Sequence, residues 1–239
     1  MVRIQFLQKT KKDCEKITVH SPGLVDLNDI RALKTILLHP TYFPSIAQMV
    51  AVVQADHLIF ELEDNYQKQT YRNRAYIAHS NGKLLLNVPI RHSKDGTRQK
   101  TKEVQVEQSF RWQSQHWKSL QSAYRTSPFF EFYEDELASL FTEKADGLMD
   151  HNLKIFNRLA ELIGIEKEIR FTSTYELDPV ATDMRFLVEA KKVKVPSFDT
   201  YTQVLEASHG FIPNLSILDL LFNEGPNTLT YLENQNLKS

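Results

Sequence analysis

Three stretches of the chain combine residue types and spacings that could do chemistry. The first is His39-Pro40-Thr41-Tyr42-Phe43-Pro44. It follows the apolar run Ile36-Leu37-Leu38 and precedes Ser45, a good helix cap, so His39 stands at the carboxyl end of a strand and faces a helix amino terminus. Free N–H groups at such a terminus attract anions, and an imidazole titrates near neutral pH. His39 is therefore a candidate general base. The plainer alternative is a turn shaped by two prolines, with His39 bonded to a carbonyl. The second stretch is Lys68-Gln69-Thr70-Tyr71-Arg72-Asn73-Arg74, whose three cations interleave with Tyr71 and an amide. That pattern suits a phosphate or carboxylate. It is equally that of a solvated face, or of cations paired with Glu61, Glu63 and Asp64. The third is Trp112 to Tyr124, with His116-Trp117 at its centre. Trp112, His116, Trp117 and Tyr124 cannot share one helical face, so some look outward, line a pocket or belong to the core.

Other chemistries are absent from the local pattern. The chain has no G-x-S-x-G elbow, phosphate-binding P-loop, dinucleotide glycine fingerprint, H-E-x-x-H or paired cysteine motif. None of the 8 histidines pairs with another at zinc-ligand spacing, so neither a metal nor a cofactor is expected. With 29 basic and 30 acidic side chains there is no global positive field for a nucleic acid. The lone Cys14 cannot form an internal disulfide, which fits a reducing compartment. Neither a cleavable leader nor a stretch of roughly 20 apolar residues is present, so a cytoplasmic protein without a membrane span is expected.

The elements that must position these residues read as follows. Residues 1–33 are weakly patterned, with one short strand around Ile4–Leu7 or a mobile arm, and residues 34–239 form a single domain. Ile36–Leu38, a helix from Ile46 to Ala55 and His57–Phe60 make a β–α–β unit with two parallel strands. Ala75–Ala78 and Leu84–Ile90 flank Ser80-Asn81-Gly82, a hairpin signal. Residues 91–102 read as an exposed basic loop, and Glu103–Glu107 alternates as a short strand. Helices are predicted over Trp112–Tyr124, Phe129–Phe141 and Leu148–Ile163, the last closed by Gly164. Ile169–Tyr175 returns as a strand, and a buried helix over Asn214–Phe222 stops at Gly225-Pro226, with a short helix after it. The fold class is α/β: one domain with a mixed, partly parallel sheet flanked by helices and a helical middle section.

These segments together resemble the WbqC-like protein family, and its branch found in Bacteroidetes-type bacteria in particular. The resemblance rests on the strand followed by His-Pro-Thr-Tyr-Phe-Pro at 39–44, Asp56 before the second strand, and Lys68–Arg74 ending in Asn73-Arg74. It extends through Trp112, Trp117, Tyr124 and Pro128-Phe129-Phe130 to Phe211–Asp219 and Leu221–Pro226. It runs in order over roughly 36–235, with only loose correspondence at 176–198. It implies a transferase of surface-polysaccharide (O-antigen type) assembly, working on an activated sugar with an amino-acid or acyl donor. In that scheme His39 is the base, and Arg74 with Lys68 holds an anionic group of the donor. Asn73 orients that group or donates to a developing oxyanion, and Tyr42, His116 and Trp117 line the acceptor pocket. Either Asn214 caps its helix and Asp219 pairs with a buried arginine, or both reach the site; Asp56 and Asp219 are also possible partners of Arg74. Nucleotidyl transfer and a non-catalytic glycan- or assembly-binding role are the alternatives.

Overall fold

A computed structural model describes residues 34–91, 97–190 and 197–237. The strand expected near Ile4–Leu7 and Cys14 lie outside the described residues, as do parts of the 91–102 and 176–198 segments. The described residues begin with β1 (Thr35–Leu38), α1 (Ile46–Gln54) and β2 (His57–Phe60). β1 and β2 are parallel, in register from Thr35↔His57 to Leu38↔Phe60. α1 is buried nearly all round from Ile46 to Val52, which accounts for its apolar composition and makes it a central helix. Ser45 starts it with a capping box: its hydroxyl accepts from the Gln48 N–H, and the Gln48 side chain accepts from the Ser45 N–H. At the amino ends of both strands, Asp56 accepts a hydrogen bond from the Lys34 backbone and returns one through its own N–H.

β3 (Arg74–His79) and β4 (Gly82–Asn87) form an antiparallel hairpin, in register from Arg74↔Asn87 to His79↔Gly82. The positive φ of its turn falls on Gly82 (101°), while Ser80 and Asn81 keep negative values. A 3-10 turn at Thr101–Glu103 precedes α2 (Trp112–Tyr124), α3 (Phe130–Thr142) and α4 (Leu148–Ile163). Gly164 ends α4 in the left-handed region at φ 83°. β5 (Ile169–Phe171) and β6 (Thr182–Asp183) then return to the first strands, giving a four-stranded parallel sheet of order β5-β2-β1-β6. Parallel and antiparallel pairings thus occupy separate sheets. A 3-10 turn at Arg185–Val188 and the short α5 (Glu206–His209) lead to α6 (Ile217–Glu224) and α7 (Thr228–Asn234). Among the described residues no helix is long and apolar enough to cross a membrane.

One expected strand is not formed. Glu103–Glu107 alternates buried and exposed, as the sequence pattern predicts, but pairs only through isolated bridges at Gln105↔Gly147 and Ile90↔Val106. The Val104 carbonyl is taken by Leu148 N–H, and Val106 N–H goes to Asp146. These bonds serve the start of α4, so no continuous ladder can develop.

The terminal segment clamps the turn after β1. Ser45 and Ser216, the caps of α1 and α6, form an antiparallel bridge in which Ile46 N–H donates to Leu215 and Ile217 N–H to Pro44. Asn214 is expected from sequence to cap α6, but Ser216 does so; the Asn214 side-chain oxygen instead accepts from Ala47 N–H of α1 at 2.9 Å. It sits at φ 51°, a conformation asparagine tolerates better than most residues. Asp219 meets no arginine among the described residues. It is fully buried and accepts from the hydroxyls of Tyr124 (2.7 Å) and Tyr201 (2.5 Å) and from the Gln203 amide (2.9 Å). Three donors satisfy both oxygens, although burial still pushes its pKa up. The Tyr124 hydroxyl accepts in turn from Ala78 N–H of β3, which links α2, α6 and the hairpin.

The Asn214 geometry makes a two-part prediction. Asn214→Ala loses the cap on α1 and leaves in the left-handed region a residue that tolerates it less well than asparagine, for a combined loss of about 2–3 kcal/mol. Asn214→Gly loses only the cap, about 1 kcal/mol. Urea denaturation of the two variants should rank them in that order; equal losses would show that the backbone conformation contributes nothing.

Candidate functional site

The carboxyl ends of all four parallel strands converge on one group of buried polar side chains. In open α/β sheets this edge is where ligands bind, at the point where strand order reverses. Here the reversal lies at β1, with β2 on one side and β6 on the other. β1 delivers His39, the segment after β2 delivers Glu61, Glu63 and Asp64, β5 delivers Thr172, and β6 delivers Arg185.

Arg72 is the centre of the group and is only 1% exposed. Its Nη2 and Nε donate to Asp64 Oδ2 at 2.6 and 3.1 Å, and Nη1 donates to the Thr70 hydroxyl at 3.2 Å. Nη2 also lies 2.9 Å from Nε2 of His39. A guanidinium has no acceptor, so Nε2 must accept and the ring proton must sit on Nδ1. Burial, with Arg72 and Arg185 nearby, holds the His39 pKa well below the usual imidazole range, consistent with a neutral ring. Among the described residues Nδ1 has no hydrogen-bond partner; Asp64 Oδ2 is 3.6 Å away, and Asp64 Oδ1 is also unpartnered. The structure therefore presents His39 as a neutral N–H donor. The lone pair that the expected base would use is occupied by Arg72.

A second ion group braces the first. Glu61, with no exposed surface, accepts from Glu63 N–H and the Thr172 hydroxyl (both 2.8 Å) and pairs with Arg185 at 3.3 Å. Arg185 also grips Asp183 and stacks over Tyr175, 4.8 Å from the ring centroid. Asn152 of α4 donates to the Arg72 carbonyl at 2.7 Å, which ties the helical layer to the same point.

Above this group lies a cleft of about 650 Å³, lined by His39, Asp64, Tyr66, Arg72, Arg98 and Lys100 among others. Lys100 and Lys102 pair with Glu63, at 2.6 and 2.5 Å. Arg98 has no ion pair among the described residues. A smaller cleft of about 360 Å³ lies beside it and is lined by Lys68, Asn73 and Arg74, with Tyr66 shared between the two. Arg74 meets neither Asp56 nor Asp219; its Nε donates to Asn87 at 3.3 Å.

The expected site residues thus divide into three groups. His39 lines the larger cleft, and Lys68, Asn73 and Arg74 line the smaller one. Tyr42, His116 and Trp117 line neither. Tyr42 is buried and donates its hydroxyl proton to Nδ1 of His116 at 2.8 Å, within an aromatic group that includes Trp112 and His151. Trp117 packs on Phe130 and Phe141. Sequence reasoning passed over Arg72, Asp64, Arg98 and Lys100 as site residues. The one available signal was the plainer reading of the cationic run: Arg72 does pair with a nearby acid, and that pair is what lies beneath the cleft. Among the described residues no group of three or more His, Cys, Asp or Glu side chains could hold a metal ion.

Three buried histidines make stability depend on pH. Burial lowers His116 and His151 to about 4, aided by Lys154 for His151, and His39 is lowered as well. Each binds a proton more weakly in the folded chain than in the unfolded one. The contribution of His116 and His151 is complete above a pH of about 6.5 and is lost as pH falls toward 4, by ~1.4 kcal/mol per pH unit for each of the two in that window. His151→Phe should flatten the slope of unfolding free energy against pH between these limits by about one proton; an unchanged slope would show that His151 titrates normally.

No solved structure matches the chain. The uncharacterized protein Rv1507c of Mycobacterium tuberculosis (strain ATCC 25618 / H37Rv) is 25% identical over 226 residues, which cover 83% of this chain and 97% of that protein. The model of the WbqC-like protein family matches residues 39–195 and 183–231, a span that takes in His39, Asp64, Arg72 and the Asn214–Asp219 clamp. On that match, the chain belongs to the WbqC-like protein family.

Proposed function

We propose that the larger cleft is the active site of a transferase of surface-polysaccharide assembly, passing an acyl or aminoacyl group to an amine or hydroxyl of an activated sugar. The observation that carries this reading is a pair of buried, unpartnered polar atoms, His39 Nδ1 and Asp64 Oδ1, at the carboxyl edge of the parallel sheet beside Arg98. Buried polar atoms without partners are rare, and a donor and an acceptor side by side in a cleft call for a ligand that supplies both complements.

Arg98, with Lys100, holds a phosphate or carboxylate of the substrate by charge-assisted hydrogen bonds. Asp64 Oδ1 accepts the proton of the attacking amine or hydroxyl as its heteroatom bonds to the acyl carbon. The Nδ1–H of His39 donates to the oxygen on which negative charge develops, a role suited to a neutral imidazole of lowered pKa. Arg72 keeps His39 in this tautomer and fixes the Asp64 carboxylate. It is a positioning residue. Collapse of the tetrahedral intermediate expels the donor's leaving group, which takes up the proton from Asp64.

The reading is tested by thermal shift with nucleotide sugars and nucleoside diphosphates. At a ligand concentration of 100 times Kd the melting temperature should rise by roughly 5 °C or more. Arg98→Ala should weaken binding by about 1.5–3 kcal/mol and remove most of that rise. A full response in Arg98→Ala and Lys100→Ala together would place the ligand elsewhere and end the assignment.

A further inference from the structure

The smaller cleft differs in chemistry from the larger one. Its cations, Lys68 and Arg74, have no acidic partner among the described residues, whereas its one acid, Glu107, faces Arg91 at 3.8 Å. Its polar lining is amide-rich, with Gln69, Asn73 and Asn87. Asn73 is 6% exposed and donates its amide to Val88 O (2.9 Å) and Asn87 Oδ1 (3.3 Å), but its own oxygen has no partner among the described residues. Gln69 is held at φ 63°, a strained conformation for a residue with a β-carbon and of a kind that clusters at ligand sites. Phe110 stands at the rim with 63% of its surface exposed, although an aromatic ring gains most from burial. Tyr66 forms the wall between the clefts; its hydroxyl lies in the fields of both Arg72 and Arg74.

We infer that the smaller cleft is a saccharide subsite, built for a sugar ring that carries a carboxylate. The flat face of a pyranose packs on an exposed aromatic ring, its hydroxyls exchange hydrogen bonds with side-chain amides, and Arg74 with Lys68 takes the carboxylate. The unpartnered Asn73 oxygen accepts from a ring hydroxyl. This subsite gives the transfer its acceptor class: Tyr66 separates a phosphate-bearing group in the larger cleft from an acidic sugar in the smaller one. The acceptor role rests on the transferase reading above; binding of the sugar does not.

Ligand-observed NMR titration with glucuronic acid tests it, with glucose and acetate as controls and uridine diphosphate as the probe of the larger cleft. Glucuronic acid should bind, glucose more weakly, and acetate not at all. Arg74→Gln should weaken glucuronic acid by ~10-fold or more, the scale of one charge-assisted bond. Phe110→Ala should weaken it by ~3–10-fold, and Arg98→Ala should leave it unchanged. The exposure of Phe110 makes loss of folding a remote explanation, and an unchanged melting temperature of each variant confirms it. Failure of glucuronic acid to bind, or binding lost in Arg98→Ala and kept in Arg74→Gln, overturns the subsite. Acetate binding as well as glucuronic acid reduces the cleft to a plain anion site and also overturns it. If uridine diphosphate fails while glucuronic acid binds as described, the transferase reading falls and the subsite stands.

Discussion

The structure is organised around a buried guanidinium. Arg72 cannot shed its charge, and an unpaired cation at that depth would cost several kcal/mol. Its neighbours are therefore constrained: Asp64 must turn a carboxylate oxygen to it, Thr70 must turn inward, and His39 must offer a lone pair. The requirement propagates along the chain. Asp64 fixes the path after β2, His39 fixes the path after β1, and the Arg72 carbonyl recruits Asn152 from α4. A buried ion pair of this kind adds little net stability, but it specifies one arrangement of the elements that meet there. The site inherits that rigidity, since the same contacts determine the His39 tautomer and leave one carboxylate oxygen of Asp64 uncommitted.

The second constraint is the turn from β1 to α1. Phe43 holds φ 43° just before Pro44, where a bulky residue is strained. Packing offsets the strain. Phe43 stacks on Phe141 with centroids 5.4 Å apart and meets the edge of Tyr42 at 4.7 Å. Tyr42 N–H reaches the Tyr71 carbonyl, while Leu215 and Asn214 hold the first turn of α1. Tyr42, His116 and Trp117 are thus part of what orients the His39 backbone rather than part of the cleft. Their aromatic chemistry contributes shape at one remove.

Local order was legible in the sequence where local signals are strong. The β1–α1–β2 unit is bounded by His39-Pro40 and Ser45, and the hairpin carries Asn81-Gly82, so each element announces its own ends. Glu103–Glu107 shows the limit: its alternation correctly predicts which side chains are buried, but pairing depends on where the start of α4 comes to lie. The site was half legible. His39 could be placed at a strand's carboxyl end from spacing alone. Arg72 and Arg74 carry the same charge two residues apart, and the chain turns through Tyr71–Asn73 just before β3, so pattern reasoning cannot tell which one turns inward. The structure sends Arg72 into the core and leaves Arg74 at the surface cleft. Asp219 was legible as an anomaly in an apolar helix, but its partners, Tyr124 and Tyr201, come from segments that no local pattern connects to it.

The strand order β5-β2-β1-β6 also dictates how the molecule comes together in time. Only β1 and β2 are close neighbours in the chain; Leu58 must find Ile169, and Leu37 must find Asp183. Loop-closure entropy has to be met before such distant pairings return anything, so sheets of this kind close slowly. The hairpin and the long helices form from local contacts and are available early. The outer strands, and with them Thr172 and Arg185, join late. The edge of the sheet where the buried charges meet is therefore the last region to acquire its native surroundings. Until then Glu61 and Arg72 remain hydrated, and the step that completes the cleft is the one that strips their water.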